Sequence, residues 1–175
     1  VSANPSFILE DMKVDFAVFG EGEITLSELA SSLENETIKI KDIKGVAYRK
    51  NEVIKFNPKR ELVRSLDDIP FPAWEVIPPK LYRQVPILSP AKGFPIAPIL
   101  TSRGCPFLCT FCATNVTWEN KLRFRSPENI VDEIELLIER FGVKEVHISD
   151  DNFTASKKHA MDVCNEIIKR KLDVF

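Results

Sequence analysis

The chain of 175 residues is long enough for one ordinary domain or for parts of two. It carries 24 Lys and Arg residues against 26 Asp and Glu residues, and this net charge of -2 excludes binding to nucleic acid or an anionic bilayer by bulk charge. With 44% hydrophobic and 29% charged residues the composition is globular, and no apolar run could span a membrane. Four cysteines are too few for a secreted disulfide scaffold, so the cytoplasm is the expected compartment.

The first third of the chain predicts a strand, a helix and a hairpin. An apolar run at residues 14–20 predicts the strand, and leucines at helical spacing over residues 24–33 predict the helix. Two strand-like stretches within residues 43–56 predict the hairpin. The chain starts without Met and stops in an apolar sequence, so we expect a piece of a longer protein.

Proline marks the middle of the chain, because ten of the twelve prolines lie between Pro58 and Pro106. Each proline removes a backbone donor and fixes φ, which predicts an extended strap that lies on a surface between two domains. The aromatic side chains of this strap need burial, and we expect Phe71, Trp74 and Tyr82 to anchor it.

The sequence after Pro95 alternates between strand and helix signals. Ser126 and Pro127 begin a helix with a capping hydroxyl and a favourable first residue, and Gly142 ends it. Strands that alternate with helices predict a parallel sheet. The other predicted elements are a strand at 96–101, a strand at 143–149, a helix at 156–171 and the start of a strand at 172–175.

Three of the four cysteines, Cys105, Cys109 and Cys112, lie within eight positions, directly after a predicted strand. Thiolates at this spacing can surround one inorganic centre, and three of them on a 4Fe-4S cluster leave one iron open for another ligand. Cys164 lies in an apolar helical stripe and is predicted to be a buried core residue. The alternative is a zinc site completed by a distant His or Asp, in a non-catalytic binding or scaffold module.

The CxxxCxxC spacing, after the first strand of an alternating strand and helix series, resembles the radical S-adenosylmethionine superfamily. The resemblance implies that Cys105, Cys109 and Cys112 bind three irons of a 4Fe-4S cluster, and that S-adenosylmethionine binds the fourth. It also implies reductive cleavage of S-adenosylmethionine to a 5'-deoxyadenosyl radical. The electron would come from a donor such as flavodoxin or ferredoxin.

Three further residues acquire cofactor-binding roles from the resemblance. Phe111, just before the last cysteine of the motif, matches the position that packs beside the adenine ring. Asp150 and Asp151 follow the strand 143–149, where the family usually has Gly-Gly-Glu, and either could hold the amino group of S-adenosylmethionine. The alternative is a polar turn that caps the next helix.

Stretches outside the cysteines resemble the radical enzymes that carry a cobalamin-binding domain, which adds cobalamin to the implied cofactors. The predicted fold is α/β, with the C-terminal remnant of a doubly wound, Rossmann-like domain followed by the first β/α units of a partial β/α barrel. The predicted domains are the end of a cobalamin-binding-like domain at 1–36, the hairpin and strap at 37–94, and the N-terminal part of the radical domain at 95–175. The subgroup's Asp-x-His-x-x-Gly element is expected upstream of Val1, since the first histidine is His147.

The implied reaction is a cobalamin-dependent methyl transfer or a rearrangement on a small organic substrate. An RNA methylthiotransferase shares the cluster motif and is the enzymatic alternative, although the near-neutral charge argues against a nucleic-acid partner.

Polar side chains elsewhere have simpler interpretations. His147 is expected to be hydrogen-bonded inside the barrel, and His159 is expected to be solvated. Arg123 and Arg125 could hold a carboxylate or phosphate of a ligand, but an ion pair with a near residue such as Glu128 or Asp132 is expected.

Overall fold

The structure is a computed structural model that describes residues 2–11, 14–35, 38–82 and 92–175. The chain forms two compact units. The first contains the residues up to Arg64 together with Phe107–Asn120, and the second contains Ser65–Pro106 and Lys121–Phe175. Among the described helices, none has the length and apolar character to cross a membrane. The predicted domain boundaries after residues 36 and 94 stay a prediction.

The first unit has a three-stranded antiparallel sheet in the order β1-β2-β3. The predicted strand, helix and hairpin are confirmed. A two-residue turn with positive φ at Asn51 (49°) and Glu52 (60°) joins the hairpin strands. The elements are α1 (Pro5–Asp11), β1 (Phe16–Val18), α2 (Glu23–Asn35), β2 (Val46–Lys50), β3 (Val53–Phe56) and the short α3 (Thr114–Trp118).

Helices lie on both faces of this sheet, but its strands are antiparallel, whereas the sheet of a doubly wound domain is mostly parallel. Successive side chains of a strand point to opposite faces. Ala17 of β1 accordingly packs in one cluster with Leu9 of α1. Phe16 and Val18, its neighbours, pack in the other cluster with Leu29 of α2.

The strap is anchored by fewer aromatic side chains than predicted. Trp74 is buried and packs with Leu137 and Val143, which confirms its predicted role. Tyr82 is 52% exposed, so its predicted burial is wrong. The remainder of the predicted strap at residues 83–91 lies outside the described residues.

The second unit has a parallel strand pair, as predicted from the alternation of strands and helices. Strands β4 (Ile96–Ile99) and β7 (Glu145–Ile148) are parallel and are connected through α4 (Pro127–Phe141). A second, antiparallel pair joins β5 (Ser102–Arg103) to β6 (Arg123–Phe124), and α5 (Lys157–Lys169) follows β7. Phe175 exchanges backbone hydrogen bonds with Lys144 (3.1 Å) and Val146 (2.8 Å) and so lies beside β7, but the structure has no strand at the predicted residues 172–175.

Helix α4 has both predicted ends. The Ser126 hydroxyl accepts a hydrogen bond from Asn129 N at 3.2 Å, and Gly142 ends the helix with a φ of 67° that suits glycine. Ile130 and Ile134 are buried on its inner face, where they pack with Ile99 of β4 and Val163 of α5.

Helix α5 buries a different face from the predicted one. Cys164 is exposed, and its predicted burial is wrong. His159 is only 8% exposed, so its predicted solvation is also wrong. The buried face carries His159, Val163 and Glu166 because both polar residues have partners there: Thr101 for His159 and Arg170 for Glu166.

Candidate functional site

The ends of two neighbouring strands bring the candidate site residues of the second unit together. Because β4 and β7 are parallel, their carboxyl ends lie at the same edge of the sheet. The segment from Thr101 to Gly104 follows β4 and leads to Cys105, while Asp150 and Asp151 follow β7. Hydrogen bonds accepted by both aspartates join the two strand ends.

Asp150 accepts four hydrogen bonds from two consecutive residues. Its Oδ1 accepts from the backbone N of Thr101 (2.6 Å) and of Ser102 (3.2 Å), and its Oδ2 accepts from the two hydroxyls, each at 2.6 Å. A carboxylate has about four lone-pair sites, so these donors occupy its full capacity. Asp151 is exposed and accepts from Gly104 N at 3.2 Å. Of the two aspartates, Asp151 is therefore the better candidate for the amino group of a cofactor.

His159 extends this network into the interior. Its Nε2 lies 3.1 Å from Thr101 Oγ1, and its ring lies against Phe124 with the ring centroids 4.4 Å apart. The single hydroxyl proton of Thr101 is donated to Asp150, so Nε2 of His159 must carry a proton and donate it to Thr101. Burial lowers the pKa of His159, opposed by the nearby charges of Asp150 and Asp162.

The lowered pKa of His159 predicts a loss of stability on mild acidification. Between its folded pKa and its unfolded value of about 6.5, the unfolded chain binds more protons, so the free energy of unfolding falls as the pH drops below that value. The slope contributed by one such group is at most about 1.4 kcal/mol per pH unit. We expect urea-unfolding midpoints to depend less on pH in His159→Gln than in the parent when both are measured between pH 7.5 and 5.5 (about the window of histidine titration).

The chain contains only two histidines, so the other serves as a matched control. His147→Gln removes a half-exposed imidazole but keeps His159, so the part of the pH slope that His159 contributes should remain. Equal slopes for the parent and His159→Gln would contradict the assignment of this titration to His159.

His147 and Glu145 form a hydrogen-bonded pair on β7. Nε2 of His147 lies 2.7 Å from Glu145 Oε1. The hydrogen bond with His147, followed by the one from Lys92 N, lowers the pKa of the Glu145 carboxyl, and burial opposes this. The pair accounts for His147 structurally.

The three clustered cysteines lie in a loop that starts at a constrained glycine. Gly104 has a φ of 91°, which a residue with a side chain rarely adopts, and it places Cys105 directly after the anchored segment. Cys105 is half-buried, whereas Cys109 and Cys112 are exposed, and Cys112 N donates to Cys109 O at 3.1 Å. None of the cysteines forms a disulfide. Phe111 between them is 91% exposed.

The donor set of this loop fits an iron-sulfur cluster. Three cysteine thiols are the soft ligands that such clusters take. Within the described part of the chain, no three His, Cys, Asp or Glu side chains are close enough together to hold a single metal ion. Sites of this kind often form together with their metal, because binding supplies the free energy that orders the ligands.

Arg125 belongs to a buried network that the sequence analysis did not anticipate. The predicted ion pair exists, but its partner is wrong: Arg125 binds Glu133 at 2.6 Å, and neither Glu128 nor Asp132. The other carboxylate oxygen of Glu133 accepts from Trp74 Nε1 at 3.0 Å. This network fixes the strap to α4.

The chain belongs to the radical S-adenosylmethionine superfamily. The family model described as the Radical SAM superfamily matches residues 99–174, which contain the three cysteines and both aspartates. Proteins of this family use a 4Fe-4S cluster and S-adenosylmethionine, so the predicted family and its two cofactors are confirmed.

Similar proteins extend the match to nearly the whole chain. An uncharacterized methyltransferase of Pyrococcus horikoshii is 35% identical over 92% of this chain and 33% of its own length. Cytidylyl-2-hydroxyethylphosphonate methyltransferase of Streptomyces wedmorensis is 32% identical over 91% of this chain and 34% of its own length. The chain thus spans about a third of the length of these curated relatives.

A solved structure shares the fold. The radical S-adenosylmethionine methyltransferase TsrM of Kitasatospora setae, solved with cobalamin and a 4Fe-4S cluster bound, matches with a TM-score of 0.69 at 23% identity. The match covers 97% of this chain and 32% of TsrM. It confirms the predicted α/β fold class and shows that the chain corresponds to a part of that larger fold.

Proposed function

We propose that this chain supplies the cluster-binding part of a radical S-adenosylmethionine methyltransferase, and that Cys105, Cys109 and Cys112 are its cluster ligands. One observation carries the proposal: the three cysteines stand at CxxxCxxC spacing shortly after β4 and β5, inside the region that the family model matches. Cys164 is separated from them by about fifty residues and lies on α5, so it has no place in the motif.

When bound, the cluster supplies the electron that cleaves S-adenosylmethionine to a 5'-deoxyadenosyl radical. The chain's own residues bind and orient the cofactor. Phe111 presents a ring that is 91% exposed and available to pack on adenine. Asp151 presents an exposed carboxylate for the cofactor's amino group, and its hydrogen bond with Gly104 keeps that carboxylate beside the residue that precedes Cys105.

The proposed reaction is methyl transfer to a small organic substrate. Both curated relatives described above are named methyltransferases, and TsrM, which shares the fold, holds cobalamin. Cobalamin is accordingly the proposed third cofactor of the whole protein, and flavodoxin or ferredoxin its proposed electron donor. The proposed compartment is the cytoplasm, where a reducing environment keeps the three thiols available.

The test is anaerobic reconstitution of the 175-residue chain with iron and sulfide. We expect a brown protein with about four irons and four sulfides per chain. Its reduced cluster should give an electron paramagnetic resonance signal that changes when S-adenosylmethionine is added. Cys109→Ala should lose the colour, most of the iron and the response to S-adenosylmethionine.

Cys164→Ala is the matched control, because it removes an exposed thiol outside the motif. It should keep the iron content and the spectrum of the parent. A colourless parent chain with one bound zinc would overturn the proposal in favour of a zinc-binding module. So would a Cys109→Ala variant with the iron content and spectrum of the parent.

A further inference from the structure

We infer that Asp150 is a positioning residue that anchors the segment before Cys105 to the carboxyl end of β7, and so determines where the first cluster ligand lies. The inference rests on the proposed role of the cysteines. It assigns Asp150 a task different from binding S-adenosylmethionine, because its carboxylate is already occupied by four protein donors.

The four hydrogen bonds that Asp150 accepts come from Thr101 and Ser102, in the segment that leads to the cysteine loop. Thr101 is fully buried and Ser102 is 2% exposed, so their hydroxyls and backbone N–H groups have no access to water and depend on this carboxylate. Hydrogen bonds to a charged acceptor are about twice as strong as neutral ones. Four of them on two adjacent residues leave the backbone there a single conformation.

Further contacts hold Thr101 from other sides. His159 Nε2 donates to its hydroxyl, and Arg125 N donates to its backbone oxygen at 3.0 Å. The proton order runs from His159 through Thr101 to Asp150, so each hydroxyl proton has one fixed acceptor. Only Arg103 and Gly104 separate this anchored pair from Cys105.

The same strand provides a matched control at its opposite end. Glu145, at the start of β7, also holds a neighbouring segment by backbone N–H groups, from Lys92 at 2.6 Å and from Gly93 at 3.2 Å. That segment enters the amino end of β4, at the opposite end of the strand from the cysteines. A general structural role would make Asp150 and Glu145 equivalent, whereas a positioning role separates them.

The experiment compares Asp150→Asn, Ser102→Ala and Glu145→Gln in the reconstituted 175-residue chain. In Asp150→Asn an amide NH₂ or oxygen faces donors that need a carboxylate, and Ser102→Ala removes one of the four bonds with little risk to folding. We expect both variants to release iron to a chelator about tenfold faster than the parent. We also expect both to alter the resonance signal measured with S-adenosylmethionine, while Glu145→Gln matches the parent in both measurements.

Amide hydrogen exchange of the chain before reconstitution provides a readout that does not need the cluster. In Asp150→Asn, exchange at Thr101 and Ser102 should accelerate about tenfold or more, because their N–H groups lose a charged acceptor. An Asp150→Asn variant with the parent's iron release and spectrum would overturn the inference and leave the proposed function standing. A parent chain that takes up no iron would instead overturn the proposed function. In that case, unchanged exchange at Thr101 and Ser102 in Asp150→Asn would also overturn the anchoring by Asp150.

Discussion

Replacing Glu133 with alanine is expected to lower the free energy of unfolding by about 3–5 kcal/mol. Glu133 is 1% exposed, and its carboxylate accepts from Arg125 at 2.6 Å and from Trp74 Nε1 at 3.0 Å. Removing this acceptor leaves Arg125, whose side chain is 12% exposed, without its counter-charge and the Trp74 indole N–H without its partner. A buried charge without its counter-charge and a buried N–H without its acceptor cost far more than the ion pair contributes when it is intact.

Urea unfolding at neutral pH measures this effect, and a double variant separates its cause. In Glu133→Leu combined with Arg125→Met, no buried charge remains unpaired, so we expect most of the stability to return. Arg140 lies on the same helix as Glu133 and forms an exposed ion pair with Glu75. Arg140→Met should therefore change the free energy of unfolding by less than about 1 kcal/mol. A Glu133→Ala chain within 1 kcal/mol of the parent (about the value of an exposed pair) would contradict the assignment of a buried, mutually dependent pair.

The sequence predicts elements well where local signals agree. Helix α4 combines a capping serine, a proline at its first position, helical apolar spacing and a terminal glycine, and the structure confirms each of them. The short elements α1, α3, β5 and β6 were not predicted, because segments of two to seven residues contain too few positions to reveal a period. Their conformation depends on tertiary contacts such as the pairing of Ser102 with Phe124.

Helix α5 shows why burial is harder to predict than helicity. Apolar side chains in the sequence favour a face that includes Met161, Cys164 and Ile168, yet Met161 is 50% and Ile168 is 71% exposed. The structure buries His159 and Glu166 instead, and each has a hydrogen-bond partner. A hydrophobic pattern cannot anticipate this, because the cost of burying a polar group depends on partners that are distant in sequence.

The candidate site likewise has a part that local sequence predicts and a part that depends on contacts between distant residues. The three cysteines were predictable because their chemistry is encoded in eight adjacent positions. The anchoring of Thr101 by Asp150 and His159 joins residues that are 49 and 58 positions apart. The only sequence signal for it was a pair of hydroxyl residues placed between a strand and the first cysteine, opposite two aspartates at the end of a parallel strand.

Ile130→Ala is expected to destabilise the chain by about 2–5 kcal/mol. The Ile130 side chain is fully buried among Ile99 of β4, Ile134 and Val163 of α5, so truncation removes apolar contacts and leaves a cavity where β4, α4 and α5 meet. Ile99 lies two residues before Thr101, and loosened packing beneath it should also accelerate amide exchange at the end of β4.

Ile168→Ala makes the same chemical change at an exposed position. Because Ile168 is 71% exposed, its truncation creates no cavity, and alanine is the better helix former. We expect its free energy of unfolding, measured with urea, to stay within about 0.5 kcal/mol of that of the parent. If Ile130→Ala and Ile168→Ala were equally destabilised, the description of Ile130 as buried and of Ile168 as exposed would be wrong. A large loss of stability in Ile130→Ala alone would show that α4 and α5 pack against β4 as described. This packing supports the end of β4, which leads to the cysteine loop.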